Sequence, residues 1–186
     1  MGISSVKSSI LETMWMLDKL AKASEIAKET RQGFPSVMMH LIGLNRMGYV
    51  NSPVKGHYEI TEKGKKALGF PEVARGEAEK ILASLPPEKS FYFYVDIGKP
   101  LNIYAASLQD FCDKILGIDA DSVEFHVNRG DFEAWVKGLG DLELAKRISL
   151  AKEKEWVGEE LRRKIYEIVK KRCMILIKIV GQTVTS

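Results

Sequence analysis

The stretch from Gly33 to Thr61, GFPSVMMHLIGLNRMGYVNSPVKGHYEIT, decides how the first part of the chain folds. It reads as a short helix followed by two strands that meet at a basic turn. Pro35 suits a first helical turn, where its missing N–H leaves nothing unpaired. Val37, Leu41 and Leu44 recur at helical spacing and define one apolar face. Gly48 follows the last turn, where a left-handed residue commonly ends a helix. Tyr49-Val50 and Tyr58-Glu59-Ile60 flank Asn51-Ser52-Pro53-Val54-Lys55-Gly56, whose turn chemistry at both ends predicts a hairpin.

Working outward, Ala23 to Thr30 is a short amphipathic segment, and Ser24 has the character of its N-cap. Thr30-Arg31-Gln32-Gly33 turns the chain into the next helix. Ile3 to Leu20 predicts a longer helix with Ile10, Leu11, Met14, Leu17 and Leu20 on one side and Trp15 beside them, closed by Lys19 and Lys22. Thr61 can cap a further helix carrying Lys63, Lys65 and Lys66. Helix, short helix, turn, helix and basic hairpin is the order of a winged helix-turn-helix. Residues 1–70 resemble the DNA-binding domain of prokaryotic and archaeal winged-helix regulators of the MarR/ArsR kind, through "SEIAKET", "PSVMMHLIGLNRMGYV" and "YEITEKGKKAL". The resemblance implies a transcriptional regulator that binds double-stranded DNA.

Composition is compatible with that. The 186 residues are 45% hydrophobic and 28% charged, which is globular, and suffice for two small domains. The net charge of +3 is modest, but it is unevenly placed. Residues 1–70 hold ten Lys/Arg and six Asp/Glu, a net of +4, whereas 71–186 hold eighteen and nineteen, a net of −1. The basic excess lies where a phosphate-binding face would need it.

In a recognition helix over 35–46, the residues off the core face are Ser36, Met39, His40, Gly43 and Arg46. Arg46 is the strong phosphate donor, and no Asn or Gln in the first two turns offers a bidentate bond to adenine. Met39 suits contact with thymine methyls, the alternative being that one of Met38 and Met39 packs in the core or a dimer contact, and His40 suits guanine N7 or a phosphate. At the hairpin tip Lys55 and His57, with Lys63 beyond, suit backbone or minor-groove contact.

Glu72 to Leu85 has helical composition and ends at Pro86-Pro87, which predicts a linker helix over 71–87. Phe91 to Ile97 reads as a strand, Gly98-Lys99-Pro100 as a turn, and Leu101 to Tyr104 as its partner. Ser107-Leu108-Gln109-Asp110 starts a helix through Leu116 with a capping box. Asp121, Asp131 and Asp141 read as three further N-caps, and a long helix runs from about Glu159. Cys173 to Val180 is apolar and β-branched enough to be helix or strand. Residues 90–172 resemble a poorly characterised archaeal and bacterial domain through "FYFYVDIG", "AASLQDF", "VEFHVNRGDFEAWV" and "GDLELAKRI", a resemblance that implies no activity.

His126, Asn128, Arg129, Asp131 and Glu133 crowd one segment, with Trp135 just beyond. Such a cluster fits a ligand site. It equally fits helix-end bonding, with Asp131 as a cap, Arg129 paired to an acid and His126 bonded to backbone. No P-loop, nucleophile elbow, dinucleotide fingerprint or metal-ligand spacing accompanies it, so neither catalysis nor a metal or cofactor is expected. Cys112 and Cys173 are isolated in sequence and read as buried free thiols. No signal peptide or membrane span is evident, so a cytoplasmic location is expected.

The fold class expected is therefore mainly α (α+β): an N-terminal winged helix-turn-helix over 1–70, the linker helix, and a mostly helical domain with a small β-hairpin over 88–186. The second domain is expected to dimerise the chain, to bind a small-molecule effector, or to do both. The surplus of apolar residues on the linker and C-terminal helices favours a homodimer. The rival is a winged helix used for protein–protein contact.

Overall fold

A computed structural model describes residues 3–181. The chain is mainly helical, its described residues form two small antiparallel sheets, and it divides into two compact units, Met1–Glu72 and Val73–Ser186.

The first unit runs α1 (Ser5–Leu17), β1 (Ala21–Lys22), α2 (Ala23–Thr30), α3 (Phe34–Arg46), β2 (Val50–Val54), β3 (His57–Ile60) and α4 (Glu62–Ala67). Ile10, Leu11 and Met14 of α1, Ile26 of α2, and Val37, Leu41 and Leu44 of α3 form one core with Val50 and Tyr58 of the sheet. Burying each such side chain contributes about 1.5–3 kcal/mol, which holds together helices individually too short to persist in water. Trp15 is also buried and stacks on Phe70 with ring centroids 4.7 Å apart.

Several local features differ from the sequence reading. Helix α1 ends at Leu17, because Asp18 turns into the left-handed region (φ 52°) and its N–H bonds the Met14 carbonyl. Lys19 therefore lies outside the helix, where it pairs with Glu25 at 2.7 Å, and Leu20 is exposed. Ser24 is not an N-cap, since α2 begins at Ala23 with extended Lys22 before it. That extended residue belongs to β1, which pairs with β3 through Ala21 opposite Tyr58 and Lys22 opposite His57. Two residues carry no periodicity, so this strand is invisible in the sequence. The sheet order is β1-β3-β2, all antiparallel. The expected six-residue loop shrinks to Lys55-Gly56, with Gly56 at φ +75°, because β2 continues through an irregularity at Ser52-Pro53 to place Val54 opposite His57. Gly48 adopts the left-handed conformation expected of it (φ +75°).

The second unit runs α5 (Arg75–Leu82), β4 (Phe91–Asp96), β5 (Lys99–Ala105), α6 (Leu108–Ile115), α7 (Ala120–Arg129), α8 (Asp131–Leu139), α9 (Leu142–Ala151) and α10 (Gly158–Gly181). The segment expected to link two domains is part of this unit. Ala78 and Ile81 of α5 are buried in the same core as Leu161, Ile165, Val169 and Leu176 of α10. Its apolar stripe thus serves a core helix rather than a bridge. An aromatic group sits at the centre, where Phe91 meets Phe93, Phe111, Phe132 and Trp135 edge-on at 5.0–5.5 Å, geometry that adds to simple burial.

Ser107 and Asp141 cap α6 and α9 as expected, accepting from the N–H groups of Asp110 and Leu144. The other two caps shift. Asp119, not Asp121, caps α7, and Gly130 at φ +77° precedes α8, so that Asp131 is that helix's first residue. Residues 173–180 are helical within α10, with Cys173 and Leu176 facing inward and Met174 and Ile177 outward. The strand alternative lacks a place at Tyr94 of β4. Ser122 and His126 of α7 already bond that residue's carbonyl and N–H.

Candidate functional site

In the first unit, α3 is held by its Val37-Leu41-Leu44 face, and this leaves the opposite face to solvent. Ser36 and Arg46 are exposed near its two ends, and Met39 between them is 64% exposed. His40 and Gly43 are half-buried on the flanks. Also exposed on this side, with Phe34 and Asn45 exposed beside them, are Pro35 and Ile42, which the sequence reading passed over. Their signal was present, since both fall opposite the core residues at 100° per residue.

At the tip of the hairpin, Lys55 is exposed. His57 is half-buried, and its Nδ1 lies 3.2 Å from the Lys55 carbonyl, which steadies the turn. Lys63 behaves differently from Lys55. Its Nζ donates to the Met47 carbonyl at 2.7 Å and lies 4.8 Å from the centre of the Tyr49 ring. Thr61 Oγ1 donates to the neighbouring Gly48 carbonyl at 2.7 Å. Lys63 and Thr61 thus bond successive carbonyls at the end of α3, so Lys63 is engaged in joining α4 to α3. The structure brings Lys55 and His57 together at the hairpin tip and assigns Lys63 a separate structural contact.

The second unit holds a cavity of about 360 Å³ whose walls include Tyr92, Tyr94, Ile97, Phe125, Arg129 and Asp131. His126 forms part of the wall and is almost fully buried. Its Nε2 accepts the Tyr94 backbone N–H at 2.8 Å, so its proton resides on Nδ1, 2.8 Å from Asp131 Oδ2. Burial, opposed by Asp131, lowers its pKa below the ordinary value of 6.5. With both ring nitrogens committed, this histidine is a neutral structural member of the wall. The same Asp131 oxygen accepts from Arg129 Nε at 3.0 Å, and the Arg129 guanidinium stacks 5.1 Å from the Phe125 ring. Three members of the expected cluster therefore converge. Trp135 stands apart from the cavity, donating its indole N–H to the Lys89 carbonyl at 2.9 Å and packing on Phe91 and Phe111. What a small ligand would meet here is an aromatic wall and a half-exposed guanidinium.

Residues that appear motif-like in sequence have structural work elsewhere in this unit. Arg172 of α10 is buried, with Nε 2.6 Å from Asp141 Oδ2 and one terminal nitrogen 2.9 Å from Glu143 Oε2. Asp141 also caps α9, so the Gly140-Asp141-Leu142-Glu143 run fixes the α8–α9 turn against α10. Cys112 and Cys173, distant in sequence, interact with one another in the core. The neighbouring Cys112 thiol and burial raise the pKa of Cys173 and keep it protonated.

Comparison of the chain with protein-family models, curated proteins and solved structures finds no match. Among the described residues, no helix is long and apolar enough to cross a membrane.

Proposed function

We propose that the first unit is a winged helix-turn-helix that binds double-stranded DNA and that the protein is a transcriptional regulator acting as a homodimer. The observation that carries this reading is the pairing of α3 with the hairpin. A helix with one face fully buried presents its other face to solvent, and the following β2-β3 hairpin ends in the exposed Lys55. The charge distribution supports it, since the basic excess of +4 falls in residues 1–70. In this reading α3 enters the major groove and Lys55 contacts the backbone beside it. One such module makes few phosphate contacts, and two copies on neighbouring half-sites supply the missing affinity. Exposed Met174 and Ile177 on α10 supply apolar surface for pairing the copies. The cavity beside Arg129 would hold a small-molecule effector.

The test is the salt dependence of binding to a mixed-sequence duplex. Phosphate contacts make the logarithm of the binding constant fall linearly with the logarithm of salt concentration. A second reading, a winged helix that docks another protein, is favoured by the apolar character of Met39 and Ile42 on α3. It requires that duplex binding be absent or independent of salt.

A further inference from the structure

The outward face of α3 has a definite composition. Pro35, Met39, Ile42 and Arg46 recur at i, i+4, i+7 and i+11 and are all exposed, Met39 at 64% and Ile42 at 44%. At the helical angle of about 100° per residue the four fall within roughly 60° of one another, opposite Val37, Leu41 and Leu44. The face is a stripe, apolar for its first two turns and cationic at its end.

A face of this kind has little to offer the hydrogen-bonding edges of bases. Neither amide nor carboxylate side chains stand among the four; the exposed Ser36 hydroxyl and Asn45 amide lie on its flanks, and the one guanidinium lies at the C-terminal end. Major-groove edges present one strongly apolar feature, the C5-methyl group of thymine. The surrounding unit is basic, with a net charge of +4 over residues 1–70, which complements a polyanion better than a neutral protein surface. We infer that α3 selects thymine-rich duplex DNA by packing Met39 and Ile42 on thymine methyl groups, with Arg46 contacting the phosphate or guanine at the edge of the run. The inference rests on the DNA-binding reading of this unit and deepens it. Thioether and β-branched side chains divide the work in a physically sensible way: Met39 is flexible and polarisable, while Ile42 is stiff at its first torsion.

Replacing deoxythymidine by deoxyuridine removes only that methyl group and leaves charge and base pairing as they were. The experiment compares binding of the full-length chain to a thymine-rich duplex and to its all-uracil counterpart over a series of salt concentrations. Burying one methyl group corresponds to about a fourfold change in affinity, so two contacts predict roughly fifteenfold weaker binding to the uracil duplex. The variant Met39→Ala/Ile42→Ala lies on an exposed surface, and its thermal unfolding midpoint should match that of the parent. It should bind both duplexes alike while keeping the parent's salt slope. Equal affinity of the parent for the two duplexes, with a steep salt dependence, would overturn the methyl readout and leave DNA binding standing. Absence of salt-dependent binding to either duplex would overturn both, and the stripe would then be a protein-docking face. A thymine preference that persists in the double variant would also overturn the inference, since the discrimination would arise outside α3.

Discussion

The imidazole of His126 and the backbone of Tyr94 are joined by a hydrogen bond of 2.8 Å in which Tyr94 N–H donates and Nε2 accepts. One helical turn earlier, the Ser122 hydroxyl donates to the carbonyl of the same Tyr94 at 2.7 Å. Two side chains of α7 thus satisfy both backbone groups that β4 presents at that residue. Leaving either group unpaired in a buried setting would cost about 1–3 kcal/mol.

This arrangement gives His126 a pH signature. In the unfolded chain it titrates near its ordinary value of about 6.5, and in the folded chain burial holds its pKa lower. Between those values the unfolded chain binds a proton that the folded chain does not. The contribution to stability is therefore complete above about 6.5 and declines as pH falls below it. Replacing His126 by Leu should destabilise the second unit by about 1–3 kcal/mol at neutral pH. Denaturant unfolding from pH 8 to 5.5 should show this difference shrinking toward the acid end. A difference that stays constant with pH would mean that the imidazole is not held neutral.

Arg172 anchors α10 to the α8–α9 turn through two buried carboxylates. Removing the cation takes the buried counter-charge from Asp141 and leaves Glu143 with Arg147 at 3.3 Å, and breaking a buried pair in this way costs about 3–5 kcal/mol. Arg172→Met should therefore raise hydrogen exchange throughout α9 and the middle of α10. Unchanged protection there would show that the network contributes no net stability.

Gly64 faces a close approach. A Cβ at that position would stand 2.3 Å from the Tyr49 carbonyl oxygen and 2.7 Å from Ile60 Cγ1. The first of these neighbours is backbone and cannot swing aside. Gly64→Ala should cost at least about 1–3 kcal/mol, as overpacking does, despite alanine's better helix propensity. Thermal unfolding measures it, and a variant as stable as the parent would contradict the fit of α4 against the hairpin.

Lys55 and Lys63 should separate in DNA binding. Lys55 is exposed at the turn, so Lys55→Ala should weaken binding to all sequences alike and reduce the log-log salt slope by about one. Lys63 is bonded to the Met47 carbonyl, so Lys63→Ala should leave the slope nearly unchanged and lower stability instead. Titrations at four or five salt concentrations decide between them, and a slope lost with Lys63 rather than Lys55 would reverse the assignment.

Pairing through α10 is testable by sedimentation. Met174 and Ile177 are 63% and 51% exposed and stand one turn apart. The intact protein is expected to sediment as a dimer at tens of micromolar, and Met174→Glu/Ile177→Glu as a monomer with its helices intact. A dimer that survives both charges would place the contact elsewhere.

The sequence by itself determined the elements whose signal is periodic or local. Val37, Leu41 and Leu44 specify the buried face of α3, Gly48 its end, and Ser107 and Asp141 their caps, because each acts within a few residues of itself. It also supplied His126, Arg129 and Asp131 as a cluster, since they lie within six residues across the α7–α8 junction. Tertiary structure alone decided what depends on partners distant in the chain. Strand β1 exists because Tyr58 and His57 lie beside Ala21 and Lys22, and 173–180 is helical because its Cys173 and Leu176 join a core assembled from five other helices and a hairpin. Lys63 reads as a free cation until the Met47 carbonyl is placed beside it, and His126 reads equally as ligand contact or helix-end bond until Tyr94 takes its second nitrogen. Hydrogen bonds and charges are satisfied in space, over separations that no short-range pattern encodes.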